Sequence, residues 1–203
     1  FPRNTLPADY YSASPQHAHL PLVIMLVLTQ LSVGAFLTGS ALEYFLSAET
    51  TAVMTRLYAT SGLFFGLVAL GASTLHLGRP MYAFRGILGL KHSWLSREIL
   101  AFGAFAGTAM VYAMLTWVSA SAFPDLKTWQ PLAGRFVGIV GVVGIFCSIM
   151  IYVFTKREFW SFESTAAKFS LTAILLGIAS TWLTILILNL TDNSPESNLL
   201  IAQ

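Results

Sequence analysis

Apolar residues along this chain gather into five long stretches that contain no Asp, Glu, Lys or Arg. The stretches run over residues 10–42, 57–78, 99–124, 136–155 and 169–191. Each is long enough to span a membrane, because about 20 apolar residues in a helix cross the hydrocarbon layer. The first stretch exceeds that length, so its span is trimmed to begin at residue 20. The pattern predicts helices over residues 20–46, 57–78, 99–121, 136–155 and 169–190.

Composition supports a protein that lies in the membrane. The stretches are apolar on every face instead of alternating, which argues against a transmembrane β-barrel. Of the 203 residues, 56% are hydrophobic and 10% are charged, which leaves too little polar surface for a water-soluble domain. We therefore expect an all-α integral membrane protein, a bundle of about five transmembrane helices. Residues 1–19 would form an extended polar arm, residues 20–190 the transmembrane domain and residues 191–203 a polar tail.

Three further patterns concern orientation and helix surfaces. The N-terminal arm and the loops 79–97 and 156–168 carry eight Lys and Arg residues, against three on the other side, which predicts a cytoplasmic N-terminus. Glycines spaced four apart predict close helix packing at Gly62 and Gly66, Gly103 and Gly107, and Gly134 and Gly138. Aromatic residues near the predicted helix ends are typical of an interfacial belt: Tyr44, Tyr58, Trp94, Trp117, Trp129 and Trp160.

Ionisable residues meet where the second predicted helix ends and the third begins. His76 and Arg79 are three residues apart and share a helix face, and Pro80 ends the helix. Ser96 is the expected N-cap of the next helix, and Glu98 in its first turn suits the positive end of the helix dipole. Because these helices form a hairpin, we expect His76, Arg79 and Glu98 to converge at one membrane face.

This combination of side chains fits the oxidation of a quinol. A neutral histidine can accept a proton, a carboxylate can relay it, and an arginine can stabilise a ring oxygen without losing its own charge. We assign these roles to His76, Glu98 and Arg79, with Tyr82 and Trp94 bordering the ring or a partner. The alternative is that Arg79 anchors the interface, Glu98 balances the dipole and His76 lies among the headgroups.

Two other classes of membrane protein stay open at this point. A haem b-binding cytochrome-type anchor needs paired histidines on facing helices, and of the four histidines only His76 lies near a predicted helix end. A small transporter or proton channel often has helices broken by Gly or Pro, whereas the predicted helix interiors contain no proline. Cys147 is the only cysteine, so this chain is not expected to ligate an iron–sulfur cluster.

Three segments resemble the DmsC family, the membrane anchor subunit of dimethyl sulfoxide reductase-type complexes, most clearly over residues 20–110. They are Pro21-Leu-Val-Ile-Met-Leu-Val-Leu-Thr-Gln30, His76-Leu-Gly-Arg-Pro-Met-Tyr-Ala-Phe-Arg85 and Ser93-Trp-Leu-Ser-Arg-Glu98. The family's quinol-site histidine matches His76 and its acidic residue matches Glu98, whereas some members have an uncharged residue in place of Arg79. Family anchors usually have about eight helices, so five would be part of a longer anchor or a shortened version.

The resemblance also implies cofactors and partners. The anchor would bind menaquinone or ubiquinone in the plasma membrane of a bacterium or archaeon. It would contain neither haem nor iron–sulfur cluster and would have no nucleic-acid partner. Electrons would pass to a ferredoxin-like iron–sulfur subunit and then to a molybdopterin catalytic subunit, the two partners that carry the metals.

Overall fold

The computed structural model describes residues 20–75, 85–86, 88–118, 124–156 and 160–191, and these residues contain five α-helices and no strand. The helices are α1 (Leu20–Leu42), α2 (Ala48–Leu75), α3 (Trp94–Trp117), α4 (Pro124–Val153) and α5 (Phe162–Thr191). All five are long and apolar enough to cross a membrane. The predicted all-α membrane bundle is confirmed.

Four of the helices begin earlier than the sequence pattern predicts. α2 begins at residue 48 instead of 57, α3 at 94 instead of 99, α4 at 124 instead of 136 and α5 at 162 instead of 169. The prediction took charged residues as helix boundaries, but four of them lie inside helices: Arg56, Glu98, Arg135 and Lys168. A helix continues past a charged residue where a long side chain, such as that of the exposed Arg56, reaches water. It also continues where another helix supplies a hydrogen bond, as at Glu98. The earlier start of α4 also brings Pro131 inside that helix, contrary to the expectation of proline-free interiors.

The closest contact between two helices joins α1 and α5. A Cβ atom added to Gly34 would lie 2.0 Å from the carbonyl oxygen of Ala173, and one added to Gly177 would lie 2.5 Å from the carbonyl oxygen of Gly34. One turn further along, the hydroxyls of Thr38 and Thr181 are hydrogen-bonded at 2.7 Å. Small residues let two membrane helices approach backbone to backbone, so α1 and α5 run side by side in parallel.

The glycine pairs predicted from spacing divide into two kinds. Four of these glycines pack against neighbouring helices: Gly62 on Phe36, Gly66 on Ser32, Gly134 on Tyr112 and Gly138 on Leu37. Gly103 and Gly107 have no other atom within 4 Å of an added Cβ, so the packing predicted there is wrong for the part of the chain described. Spacing places two glycines on one face but does not say whether another helix covers it.

Aromatic rings fill the middle of the bundle. Phe36 is fully buried and packs edge-to-face on Phe105 at 5.6 Å between ring centroids and on Tyr58 at 6.1 Å. By contrast, the outward side of α5 exposes large apolar residues, including Leu175 at 65% and Trp182 at 51%. Lipid tails are as apolar as these side chains, so such a surface suits a membrane. Hydrogen-bonded polar groups lie at the two ends of the bundle, on either side of this apolar middle.

We expect Gly34→Ala to destabilise the protein by about 1–3 kcal/mol, because the new methyl group would overlap a backbone carbonyl that cannot rotate away. The matched control is Gly103→Ala, whose methyl group meets nothing within 4 Å and which we expect to be neutral or slightly stabilising. Unfolding of both variants in detergent measures the difference. Equal stability of the two would contradict the close α1–α5 contact.

Candidate functional site

The start of α3 places Glu98 inside the helix. Ser93 is the N-cap, and its hydroxyl oxygen accepts the N–H of Ser96 at 3.4 Å. Ser96, the cap expected from the sequence, is instead buried within the helix. Glu98 therefore lies beyond the first turn, and its expected position at the dipole end is wrong because the helix begins at Trp94.

Glu98 is a buried carboxylic acid that contacts α4. Its side chain is 5% exposed, and its Oε1 atom accepts a short hydrogen bond from the hydroxyl of Ser148. Ser148 is itself 2% exposed, and its hydroxyl also lies 3.3 Å from the carbonyl oxygen of Gly144. An ionised carboxylate in an apolar interior is costly unless it is well paired. A hydrogen-bond donor or a proton from a neighbouring group would therefore stabilise the buried Glu98 carboxyl group.

The neighbouring arginine is directed away from Glu98. The Nε of Arg97 donates to the carbonyl of Leu90 at 3.0 Å, and its guanidinium lies 4.2 Å from the ring centroid of Trp94. Trp94 also packs on Phe146 of α4 at 6.0 Å. These contacts hold the loop before α3 in place. Among the described residues, Ser148 is therefore the hydrogen-bond donor to the Glu98 carboxylate.

The structure brings together some of the residues predicted for the site. Trp94 and Glu98 share a helix face and both contact α4. His76, Arg79 and Tyr82 lie outside the described residues. α2 ends at Leu75, at the same end of the bundle where α3 begins.

Ser148 is not among the residues predicted from the sequence, because no local pattern points to it. It lies 50 residues from Glu98, and the contact arises only when α3 packs against α4. The one signal in the sequence is a hydroxyl in an otherwise apolar stretch.

A second polar cluster, also missed, lies at the opposite end of the bundle. Oε1 of Glu43 accepts hydrogen bonds from the hydroxyls of Thr55 at 2.7 Å and Tyr58 at 2.6 Å. The hydroxyl of Tyr58 also lies 2.7 Å from that of Tyr112. A hydroxyl has one hydrogen, so with Tyr58 donating to Glu43, Tyr112 donates to Tyr58. The cluster joins the end of α1 to α2 and α3.

This cluster corrects the reading of Tyr58 as an interfacial belt residue. Tyr58 and Tyr112 are each 1% exposed and lie in the core. Their hydroxyl groups satisfy the half-buried Glu43 and each other, so the arrangement is suited to holding three helices together.

Five apolar helices with a buried acid near one end define a multi-pass helical membrane protein. Residues 15–201 match the family described as DMSO reductase anchor subunit (DmsC). The chain belongs to this family, as its segments around His76 and Glu98 suggested.

Three curated relatives are similar to this protein at 27–29% identity. The protein is 27% identical to the C chain of the anaerobic dimethyl sulfoxide reductase of Haemophilus influenzae, over 78% of its own length and 56% of that relative. It is 28% identical to the C subunit of the sulfite dehydrogenase of Allochromatium vinosum, over 56% of its own length and 36% of that relative. It is also 29% identical to protoheme IX farnesyltransferase of Rhizobium rhizogenes, over 73% of its own length and 47% of that relative. No solved structure matches the protein significantly.

The protein matches only part of each relative. It spans roughly a third to just over half of the length of the three relatives. The identity to the farnesyltransferase is as high as the identity to the two C chains, so identity alone does not separate these relatives. The family assignment therefore rests on the match that covers residues 15–201.

Tyr58→Phe should lower the free energy of unfolding by about 2 kcal/mol, because it removes a hydroxyl that donates to a carboxylate and accepts from Tyr112. Tyr44→Phe is the control at the same membrane end. Tyr44 is 64% exposed and its ring lies against Arg135, a contact that phenylalanine keeps, so we expect a change below about 0.5 kcal/mol. Unfolding in detergent tests both, and an unchanged Tyr58→Phe variant would rule out a stabilising role for the cluster.

Proposed function

We propose that this protein is the membrane anchor of a respiratory molybdenum-containing oxidoreductase and that a quinol binds at the membrane end that holds Glu98. Membership of the DMSO reductase anchor family supports the first part. The similarity to the C chain of a dimethyl sulfoxide reductase and to the C subunit of a sulfite dehydrogenase agrees with it.

The observation that carries the second part is the position of Glu98. Glu98 is 5% exposed in a membrane-spanning helix, and one hydroxyl among the described residues donates to it. Burying an ionisable group in a membrane costs free energy, so such a residue indicates a functional site. A quinol supplies two electrons and two protons when it is oxidised. The Glu98 carboxylate is an acceptor for a ring hydroxyl, and Ser148 fixes one of its oxygens while the other can face a ligand.

The other residues predicted for this end complete the proposal. His76 accepts a proton and Glu98 passes it onward, while Arg79 stabilises a ring oxygen. Tyr82 and Trp94 border the ring or the partner surface. The contacts of Trp94 support its assignment, since its ring packs against Arg97, against Phe146 of α4 and against Phe154 just after α4.

Electrons then pass to a ferredoxin-like iron–sulfur subunit and on to a molybdopterin catalytic subunit. Cys147 is the sole cysteine of these 203 residues, so they cannot supply the four thiolates of a cluster themselves. The quinone is menaquinone or ubiquinone. The location is the plasma membrane of a bacterium or archaeon, with the N-terminus in the cytoplasm as the distribution of Lys and Arg favours.

Glu98→Gln should lower quinol-dependent turnover of the assembled complex by at least about 100-fold, because the amide keeps the size of the side chain but cannot accept a proton. His76→Ala should do the same. Turnover with a short-chain naphthoquinol and a short-chain benzoquinol is the measurement. Reduced viologen, which donates electrons to the soluble subunits directly, should support unchanged activity and so reports assembly.

The matched control is Glu163→Gln. Glu163 is an exposed acid in the first turn of α5 at the same membrane end, and its loss should leave quinol turnover unchanged. Full quinol turnover in Glu98→Gln would remove Glu98 from the reaction. An equal loss in Glu163→Gln would assign the effect to surface charge.

A further inference from the structure

Thr165 has a buried hydroxyl without a hydrogen-bond partner. The residue lies near the start of α5 and is fully buried, and no described residue bonds to its Oγ1. A buried hydroxyl that has left water without gaining a partner lowers the stability of the fold. Such groups are few in native proteins, and each one calls for an explanation such as a bound molecule.

Other threonines in these helices solve the same problem within their own helix. Five of them donate the hydroxyl to a backbone carbonyl three or four residues earlier: Thr29, Thr108, Thr116, Thr172 and Thr184. The corresponding carbonyl for Thr165 is that of Ser161, which accepts the backbone N–H of Thr165 at 3.0 Å. The hydroxyl of Thr165 makes no such bond and is free to serve another group.

The hydroxyl faces the inside of the bundle. Thr165, Phe169 and Ala173 follow each other at intervals of four on one face of α5. Ala173 touches α1 at Gly34, and the ring of Phe169 packs on Tyr152 of α4 at 5.6 Å. Thr165 therefore belongs to the face that α5 turns toward α1 and α4, not to the face that meets lipid.

The same contacts connect Thr165 to Glu98. Tyr152 lies one turn after Ser148 on the same face of α4, and Ser148 donates to Glu98. Glu98 is the fifth residue of α3 and Thr165 the fourth residue of α5, so each lies within about 6 Å of its helix start, counted at 1.5 Å per residue. Both helices begin at the same membrane end.

We propose that the Thr165 hydroxyl binds the second ring oxygen of the quinol whose first ring oxygen faces Glu98, with the rings of Tyr152 and Phe169 along the quinol ring between them. This inference rests on the proposed function. A quinol is a flat apolar ring with an oxygen at each of two opposite edges. A threonine hydroxyl both donates and accepts, so it can hold that oxygen in the reduced and the oxidised form without taking up a proton, and proton transfer stays with His76 and Glu98 as in the proposed function. Aromatic side chains suit the apolar faces of such a ring.

Thr165→Val tests the inference, because valine keeps the shape of threonine and removes the hydroxyl. In the assembled complex, we expect the KM for the naphthoquinol to rise about tenfold or more while viologen-dependent activity stays unchanged. The same variant should unfold at an equal or higher temperature, because it removes an unsatisfied buried group. Direct binding of a fluorescent quinolinol N-oxide to the protein in membranes should weaken in parallel. Thr165→Ser keeps the hydroxyl and should leave KM and inhibitor binding within about threefold of the starting protein.

The outcomes separate this inference from the proposed function. If Thr165→Val has an unchanged KM and inhibitor affinity while Glu98→Gln loses turnover, the quinol site stands and Thr165 is not part of it. A water bonded to Thr165 would give this result. An equal loss in Thr165→Ser would assign the effect to packing and also overturn the inference. If Glu98→Gln retains quinol turnover, the proposed function fails, whatever Thr165 does.

Discussion

Hydrocarbon offers no hydrogen-bond partner, so the polar groups inside this bundle must be satisfied by the protein itself. Most of the described threonine hydroxyls achieve this within their own helix, as Thr29 and Thr116 do. The two acids inside the bundle cannot, and each depends on hydroxyls from another helix. Glu98 requires α3 to meet α4 through Ser148, and Glu43 requires α1 to meet α2 through Tyr58. These contacts decide which helices are neighbours at each end of the membrane.

The two ends are built for different purposes. At one end, Glu43 accepts two hydroxyl hydrogen bonds, and Tyr112 completes the network, which suits a stable junction of three helices. At the other end, Glu98 has a single hydroxyl donor among the described residues, and the buried Thr165 hydroxyl without a partner lies near the start of α5. Aromatic rings around Phe36 separate the two. Proton exchange with a ligand therefore suits the Glu98 end, and helix packing the Glu43 end.

Membership of the DMSO reductase anchor family gives this asymmetry a context. In the proposed function, the anchor exchanges electrons and protons with a lipid-soluble carrier while soluble partners dock at its surface. The Glu98 end combines a buried acid with an aromatic cluster of Trp94, Phe146 and Phe154. The proposed quinol site lies at this same membrane end, where a soluble electron acceptor would dock.

The sequence by itself determined the class of fold, the number of spans and the family, because apolar length and the motifs around His76 and Glu98 are local properties. It also identified Glu98, since an acid beside a membrane-length apolar stretch is conspicuous. Only the tertiary structure decided the partners: Ser148 on Glu98, Tyr58 on Glu43, and the contact of Gly34 with α5. The predicted helix boundaries were wrong where they were set at charged residues, because a charge marks the edge of the hydrocarbon layer and not the end of a helix. Spacing says which residues share a face, whereas the packing of distant helices decides what each face meets.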